Sequence, residues 1–374
     1  MKKTLAILVA LFTFFLYTEV VYAAPSSSAQ AFAVMEASTG RLLYAGNADA
    51  ELPMASTTKI MTTLVALENG DLDQMITVPK SCVGVEGSSL YVKEGEEYSL
   101  RDLLYGLMLR SGNDAAETIA VGLTGSVDGF VELMNQKAAE LGCTGTHFVN
   151  PHGLTAEGHY TTARDLAKIT SAAMQNGTFR EITGAKSWKI TTGSNPRVIN
   201  NKNKMLWEYE GANGGKTGYT SAAGRCLVST AERDGMQLVC VVLNCSPMFE
   251  DSKSLLDEAF ANYHWTKVLA SGETMAIAPV ENGRGESGVP AVTQSEVWFP
   301  LLDGERARLR LNYDVTEAKA PVKTGDSLGT ITLTLDEDLS ATVPMASAAD
   351  VEKEQFGDYV RKVMGGWKMF QSSP

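Results

Sequence analysis

The sequence predicts an α/β protein: a mixed sheet flanked by helices, followed by a small all-β domain and a C-terminal amphipathic helix. Three observations carry this. Strand-like runs lie at both sequence ends of the first part of the chain, with helical periodicity between them, which brings terminal strands together around a helical middle. After Ser271 long helical periodicity stops and short β-like runs separated by Gly and Asp take over. From Asp350 to Phe370, Phe356, Val360, Val363, Trp367 and Phe370 recur at helical spacing.

The elements follow in order. Ala31 to Tyr44 reads as a strand pair around a turn at Gly40. Met54 to Leu67 is helical and stops at Asn69-Gly70. Leu100 to Leu109 and Ala115 to Val121 are two helices separated by Ser111-Gly112-Asn113, and Val127 to Leu141 and Thr162 to Met174 are two more. Ser187 to Thr192 and Arg197 to Asn200 are short strands. Ala223 to Thr230 and Met236 to Asn244 are apolar strands joined through Asp234-Gly235, a strong hairpin signal. Ser252 to Leu269 returns to helix, and five short β runs follow from Met275 to Pro344. The expected division is a signal peptide at 1–23, a main domain at 24–271, a β-domain at 272–347 and the terminal helix at 348–374.

The start supports export. Met1-Lys2-Lys3 is charged, Leu5 to Tyr17 is apolar, and Val21-Tyr22-Ala23 suits a signal peptidase, with cleavage expected after Ala23. The apolar run is shorter than the roughly 20 residues that span a bilayer. A net charge of −12 gives no basic face for nucleic acid. The five cysteines are odd in number, show no metal-type spacing and form no tight framework. Buried free thiols are expected, with one disulfide among Cys226, Cys240 and Cys245 left open. No metal cluster or dinucleotide fingerprint is visible, so no cofactor is expected.

Three motifs carry chemistry: Ser56-Thr57-Thr58-Lys59, Ser111-Gly112-Asn113 and Lys216-Thr217-Gly218. A serine hydroxyl is a poor nucleophile near neutral pH and needs a base within hydrogen-bond reach. Residues three apart share a helix face, so the Lys59 amine can meet the Ser56 oxygen. Lysine is a base only when neutral, and a second cation such as Lys216, or desolvation, favours that form. At a helix start the N–H of Ser56 is unpaired and can donate to a carbonyl oxygen under attack. Lys-Thr-Gly occurs again at Lys323-Thr324-Gly325, without paired glycines before it, and that copy reads as a surface turn.

With these motifs the chain resembles the low-molecular-mass penicillin-binding proteins, serine-type D-alanyl-D-alanine carboxypeptidases. The likeness extends through Met54–Thr62, Leu109–Ala116, Asn150–Leu154, Tyr160–Asp165, Gly215–Tyr219 and Ala223–Val228, and covers nearly the whole exported chain. It implies a penicillin-binding/β-lactamase-like transpeptidase domain. It implies that Ser56 attacks the carbonyl between two D-alanines of a peptidoglycan stem peptide, that Lys59 takes its proton, and that Ser111 relays a proton to the leaving D-alanine near Lys216. Asn113 would bond the substrate backbone. Lys216 and Thr217, in the strand with Gly218, would meet the terminal carboxylate. The N–H groups of Ser56 and Tyr219 would form the oxyanion hole. β-Lactams, which resemble the same terminus, would acylate Ser56. The resemblance also implies action in the cell envelope, and the expected location is the outer face of the cytoplasmic membrane; the aromatic residues of the terminal helix, with Arg361, Lys362 and Lys368 between them, suit a helix lying in the membrane interface.

One departure stands out. Family members often carry an arginine for the substrate carboxylate after the strand that follows the Lys-Thr-Gly strand, but Asn244 to Lys253 holds none; Arg225 or Lys253 is left to substitute. His152, between Pro151 and Gly153, reads as a structural turn residue, and Glu157 and Glu181 sit in no recognisable matching segment. The competing functions are a β-lactamase, a penicillin-binding sensor without turnover, and an endopeptidase on cross-links.

Overall fold

A computed structural model describes residues 25–285, 287–335 and 339–370, so the expected signal peptide lies outside the described residues. The main sheet has five strands: β1 (Ala31–Glu36), β2 (Leu42–Gly46), β3 (Ala212–Thr220), β4 (Gly224–Arg233) and β5 (Met236–Leu243). Their spatial order is β2-β1-β5-β4-β3. Every neighbouring pair is antiparallel, where a mixed sheet was expected. Tight hairpins give this result. Gly40 (φ +70°) turns the chain between β1 and β2. Asp234 (φ +50°) and Gly235 (φ +82°) form the left-handed two-residue turn that Asp-Gly favours between β4 and β5.

Both faces of the sheet are buried. In β1, Ala31, Ala33 and Met35 join one apolar cluster while Phe32 and Val34 join the other. β5 divides likewise, with Val239, Val241 and Leu243 on one side and Leu238, Cys240 and Val242 on the other. The first face carries the helices α1 (Lys59–Asn69), α2 (Leu100–Tyr105), α3 (Asn113–Thr124), α4 (Val127–Glu140), α5 (Ala163–Met174) and α6 (Gly177–Gly184). The second is covered by α7 (Met248–Asn262), through Leu255, Leu256 and Ala259. This is the expected α/β/α layering. α1 runs through the middle of its layer, and every residue from Lys59 to Ala66 is buried. Its N-terminus is therefore held rigidly against the sheet.

The helix expected to Leu269 ends instead at Asn262. His264–Leu269 forms β6 and pairs with a later strand, Val297–Leu301. Trp265, Thr266 and Val268 are aromatic or β-branched, and they fit a half-buried pleated surface better than another helical turn. The rest of the β-rich part is a six-stranded sheet over its own core, including Val289, Phe299, Ile331, Leu333 and Met345. The last described element is α8 (Phe356–Phe370). All five cysteines are free and buried. Burial in apolar surroundings raises the thiols of Cys82, Cys143, Cys226, Cys240 and Cys245, which keeps them protonated and inert.

Candidate active site

Ser56 lies in a single 3₁₀ turn, Ala55–Thr58, that feeds directly into α1. The turn is tight because Ala55 takes a left-handed conformation (φ +49°) that side-chain-bearing residues rarely adopt. Gly153 (φ +91°) makes room for it: a Cβ there would overlap the Ala55 carbonyl oxygen. Gly153→Ala is therefore expected to cost at least about 1–3 kcal/mol in backbone strain. It should also displace the serine turn. A thermal melt and a penicillin acylation rate on the same variant check both effects.

Lys59 is fully buried, and its nitrogen lies 3.0 Å from Ser56 Oγ, 2.8 Å from Asn113 Oδ1 and 2.5 Å from the His152 carbonyl oxygen. The Asn113 amide is oriented by its other end, because Nδ2 donates to the Glu86 carbonyl at 2.6 Å, leaving Oδ1 toward the lysine. Both Asn113 Oδ1 and the His152 carbonyl only accept. A neutral Lys59 amine has two N–H groups for them and one lone pair left, directed at the Ser56 hydroxyl. The geometry thus suits a lysine that accepts a proton from Ser56.

The electrostatics favour that neutral form. Burial, then the nearby positive charges of Lys216 and Lys202, hold Lys59 well below its ordinary range against the opposing pull of Asp114. Lys216 is nearly fully buried and lowered to about 7 by burial and by Lys202. Lys202 is itself lowered by burial and by Arg110. Lys202, which drew no attention in the sequence, sits in a polar Asn201-Lys202-Asn203 run that reads as an ordinary solvated loop.

The other motifs converge on the same place. Ser111 ends a π-helical turn, Gly106–Arg110, in a left-handed conformation (φ +64°) and is only 6% exposed. Next to it, the Asp114 carboxylate accepts from Leu90 N (2.8 Å), Val92 N (3.2 Å) and Ser89 Oγ (2.5 Å), while Asn113 N donates to the Ser88 carbonyl. These bonds tie the segment around 86–92 to the start of α3. Sequence reasoning missed this role of Asp114, although the residue lies inside the Leu109–Ala116 match. Lys216, Thr217 and Gly218 lie in β3, an edge strand of the main sheet. Gly218 packs against the serine turn, so that a Cβ there would stand 3.0 Å from Ser56 N. Gly218 is followed directly by Tyr219 in the same strand. The Lys216 ammonium donates to the Thr217 carbonyl at 2.8 Å rather than to Ser111.

Lys253 on α7 pairs with Glu208 at 2.8 Å, and the Arg225 guanidinium lies over the Tyr219 ring at 6.0 Å, next to the end of the Lys-Thr-Gly strand. Lys323-Thr324-Gly325 is an exposed turn bonded to Asp350. His152 is 6% exposed, with Nε2 3.3 Å from Glu117. Burial lowers its basicity against the pull of Glu117, and burial lowers buried His159 to about 4. Unfolded histidines titrate near 6.5. Between that value and about 4 the unfolded chain binds a proton at position 159 that the folded chain refuses, so stability is complete above pH 6.5 and falls as pH drops. The loss approaches about 3 kcal/mol for this histidine by pH 4. Urea midpoints at pH 7 and pH 4.5 should show it, and His159→Gln should flatten the dependence.

A serine–lysine pair at the head of a buried helix, beside the edge strand of an antiparallel sheet, defines an active-site-serine enzyme of the penicillin-binding class. The chain belongs to the D-alanyl-D-alanine carboxypeptidase family, which it matches over residues 18–247; residues 263–353 match the penicillin-binding protein 5 C-terminal domain. D-alanyl-D-alanine carboxypeptidase DacF of Bacillus subtilis is 31% identical, covering 92% of this chain and 91% of the relative. The DacC enzyme of Escherichia coli is 33% identical over 89% of this chain and 86% of its own length. Penicillin binding protein 5 from Haemophilus influenzae has a similar solved structure, with a TM-score of 0.74, 29% identity and coverage of 89% of this chain and all of that one.

Proposed function

We propose that this enzyme removes the terminal D-alanine from peptidoglycan stem peptides through an acyl-enzyme on Ser56. The observation that supports it best is the lone-pair argument at Lys59: two obligate acceptors take its N–H groups and leave its base toward Ser56. The peptide lies extended along the free edge of β3, in the manner of an added strand. Ser56 Oγ bonds to the carbonyl carbon between the two D-alanines while its proton passes to Lys59. The carbonyl oxygen takes negative charge and is met by the N–H groups of Ser56 and Tyr219. The carbon–nitrogen bond then breaks, and the proton that Lys59 took is relayed through Ser111 to the leaving amine, which leaves Lys59 neutral again. Water hydrolyses the ester, returning Ser56 and releasing a peptide one D-alanine shorter. Lys216 and Thr217 hold the substrate carboxylate, with Lys202 adding positive potential behind them. Asn113 orients Lys59 through Oδ1 and retains one N–H for the substrate backbone.

The proposed setting is the outer face of the cytoplasmic membrane after export. The catalytic part runs from about 24 to just before β6, the β-rich part reaches 347, and 348–374 is the membrane-contacting segment. No helix among the described residues is long and apolar enough to cross a membrane. On α8, Phe356 (84% exposed), Tyr359, Val363 and Met364 face solvent, a pattern suited to lying in a lipid interface.

Purified enzyme and a stem-pentapeptide mimic provide the test. Release of one D-alanine, together with a penicillin adduct on Ser56 that lasts minutes or longer, supports the carboxypeptidase. Rapid penicillin turnover without D-alanine release would instead mark a β-lactamase, and a stable adduct without release a sensor.

A further inference from the structure

Thr58 and His159 lie behind the nucleophile, and neither side chain hydrogen-bonds the side chains of Ser56, Lys59, Ser111 or Thr217. Both are buried. The backbone N–H of Val149 donates to His159 Nδ1 at 3.0 Å, so that nitrogen carries the lone pair. In the neutral ring the hydrogen is then on Nε2, which lies 2.9 Å from Thr58 Oγ1. Thr58 Oγ1 accepts it and turns its own single hydrogen to the Ala55 carbonyl at 2.8 Å. The chain of donors runs one way: Val149 N–H, His159, Thr58, Ala55 C=O.

The end of that chain matters because of what shares its peptide. The Ala55 carbonyl and the Ser56 N–H belong to one planar trans unit and point in opposite directions. Holding the carbonyl inward holds the N–H outward, on the side where Gly218 of β3 packs against Ser56 N. The peptide needs holding, because Ala55 is in a left-handed conformation (φ +49°) that it would not keep unaided. The histidine segment is in turn pinned to the same stretch of chain, since Thr161 and Leu52 exchange backbone hydrogen bonds of 3.0 and 2.8 Å.

We propose that His159 is a positioning residue for acyl transfer: through Thr58 it fixes the 55–56 peptide so that the Ser56 N–H faces the developing oxyanion. This rests on the reading of Ser56 as nucleophile. Protonating His159 would put a hydrogen on Nδ1, facing the Val149 N–H, and break the chain at its start. The titratable groups that face the ring from neighbouring elements are His152, His147 and Lys59, all of which oppose its protonation. The neutral ring is therefore the working form over the whole neutral range.

The test uses the full enzyme with His159→Ala, His159→Gln and Thr58→Val. Complete loss of an oxyanion donor costs about 10²–10³ in rate, and loosening one is expected to cost about tenfold. His159→Ala and Thr58→Val should each lower kcat and the penicillin acylation rate about tenfold with KM unchanged. Combining them should cost no more than one alone, since both cut the same chain. Glutamine offers an N–H in the Nε2 position, and His159→Gln should recover most of the rate. Affinity for a boronic acid that forms a tetrahedral adduct on Ser56 should fall by the same factor as the rate. Wild-type rates in folded His159→Ala or Thr58→Val, or losses that multiply in the double variant, or a rise in KM at constant kcat, would overturn the proposal. Thr58→Val is nearly isosteric and keeps the test open should His159→Ala not fold. A failure of the underlying reading is visible separately, as wild-type enzyme that penicillin does not label at Ser56.

Discussion

Ser56→Ala is expected to abolish penicillin labelling and to lower D-alanine release by about 10⁶-fold, the scale on which loss of a nucleophile acts in a serine enzyme. The fold should survive. Among the described residues the Ser56 hydroxyl is hydrogen-bonded to Lys59 alone, at 3.0 Å, and the turn that carries it is held by neighbours: Thr57 Oγ1 on the Met54 carbonyl at 2.6 Å and Thr58 Oγ1 on the Ala55 carbonyl. A melting temperature close to wild type, alongside absent labelling by mass spectrometry, is the expected pair of results. Labelling that persisted in Ser56→Ala would refute the assignment of the nucleophile. The second Lys-Thr-Gly is the internal control: Lys323→Ala removes an exposed ion pair with Asp350 and should leave activity unchanged.

The second large effect is at Lys59. Removing its amine by Lys59→Met should slow acylation by about 10²–10⁴, the usual worth of general base catalysis. The sign of the pH dependence follows from the two buried lysines. Lys59 must be neutral to accept the serine proton, so kcat/KM rises with pH as it loses its proton, and the depressed affinity of Lys59 places that rise well below the ordinary lysine range. Lys216 must be charged to hold a carboxylate, and it is charged only below its value of about 7, so kcat/KM falls again on the alkaline side. A bell-shaped profile results. Lys216→Ala should remove the alkaline limb and also move the acid limb upward, because Lys59 loses the largest neighbouring charge that opposes its protonation. A profile whose acid limb stays in place would show that burial alone tunes Lys59.

Most of the site was legible because its chemistry is local. Ser56 and Lys59 are one helical turn apart, Asn113 and Ser111 frame a single helix start, and Lys216 to Gly218 follow one another along a strand. Short spacing fixes such groups whatever surrounds them. The hairpin at Asp234-Gly235 was readable for the same reason, since left-handed backbone at both positions selects those residue types. The strand at His264–Leu269 was not, because a short aromatic and β-branched run after a helix declares itself only when a partner strand 30 residues on pairs with it.

The sequence by itself determined the class of fold, the three motifs and the residues proposed to carry the reaction. Only the tertiary structure decided what suits Lys59 to the proposed role of base. Its depressed affinity comes from burial and from the charges of Lys216 and Lys202, and its lone pair is aimed by Asn113 and the His152 carbonyl. The same holds for the Val149–His159–Thr58–Ala55 chain and for the antiparallel course of the main sheet. Desolvation and hydrogen-bond direction are properties of groups brought together from distant parts of the chain, and no spacing along the sequence encodes them.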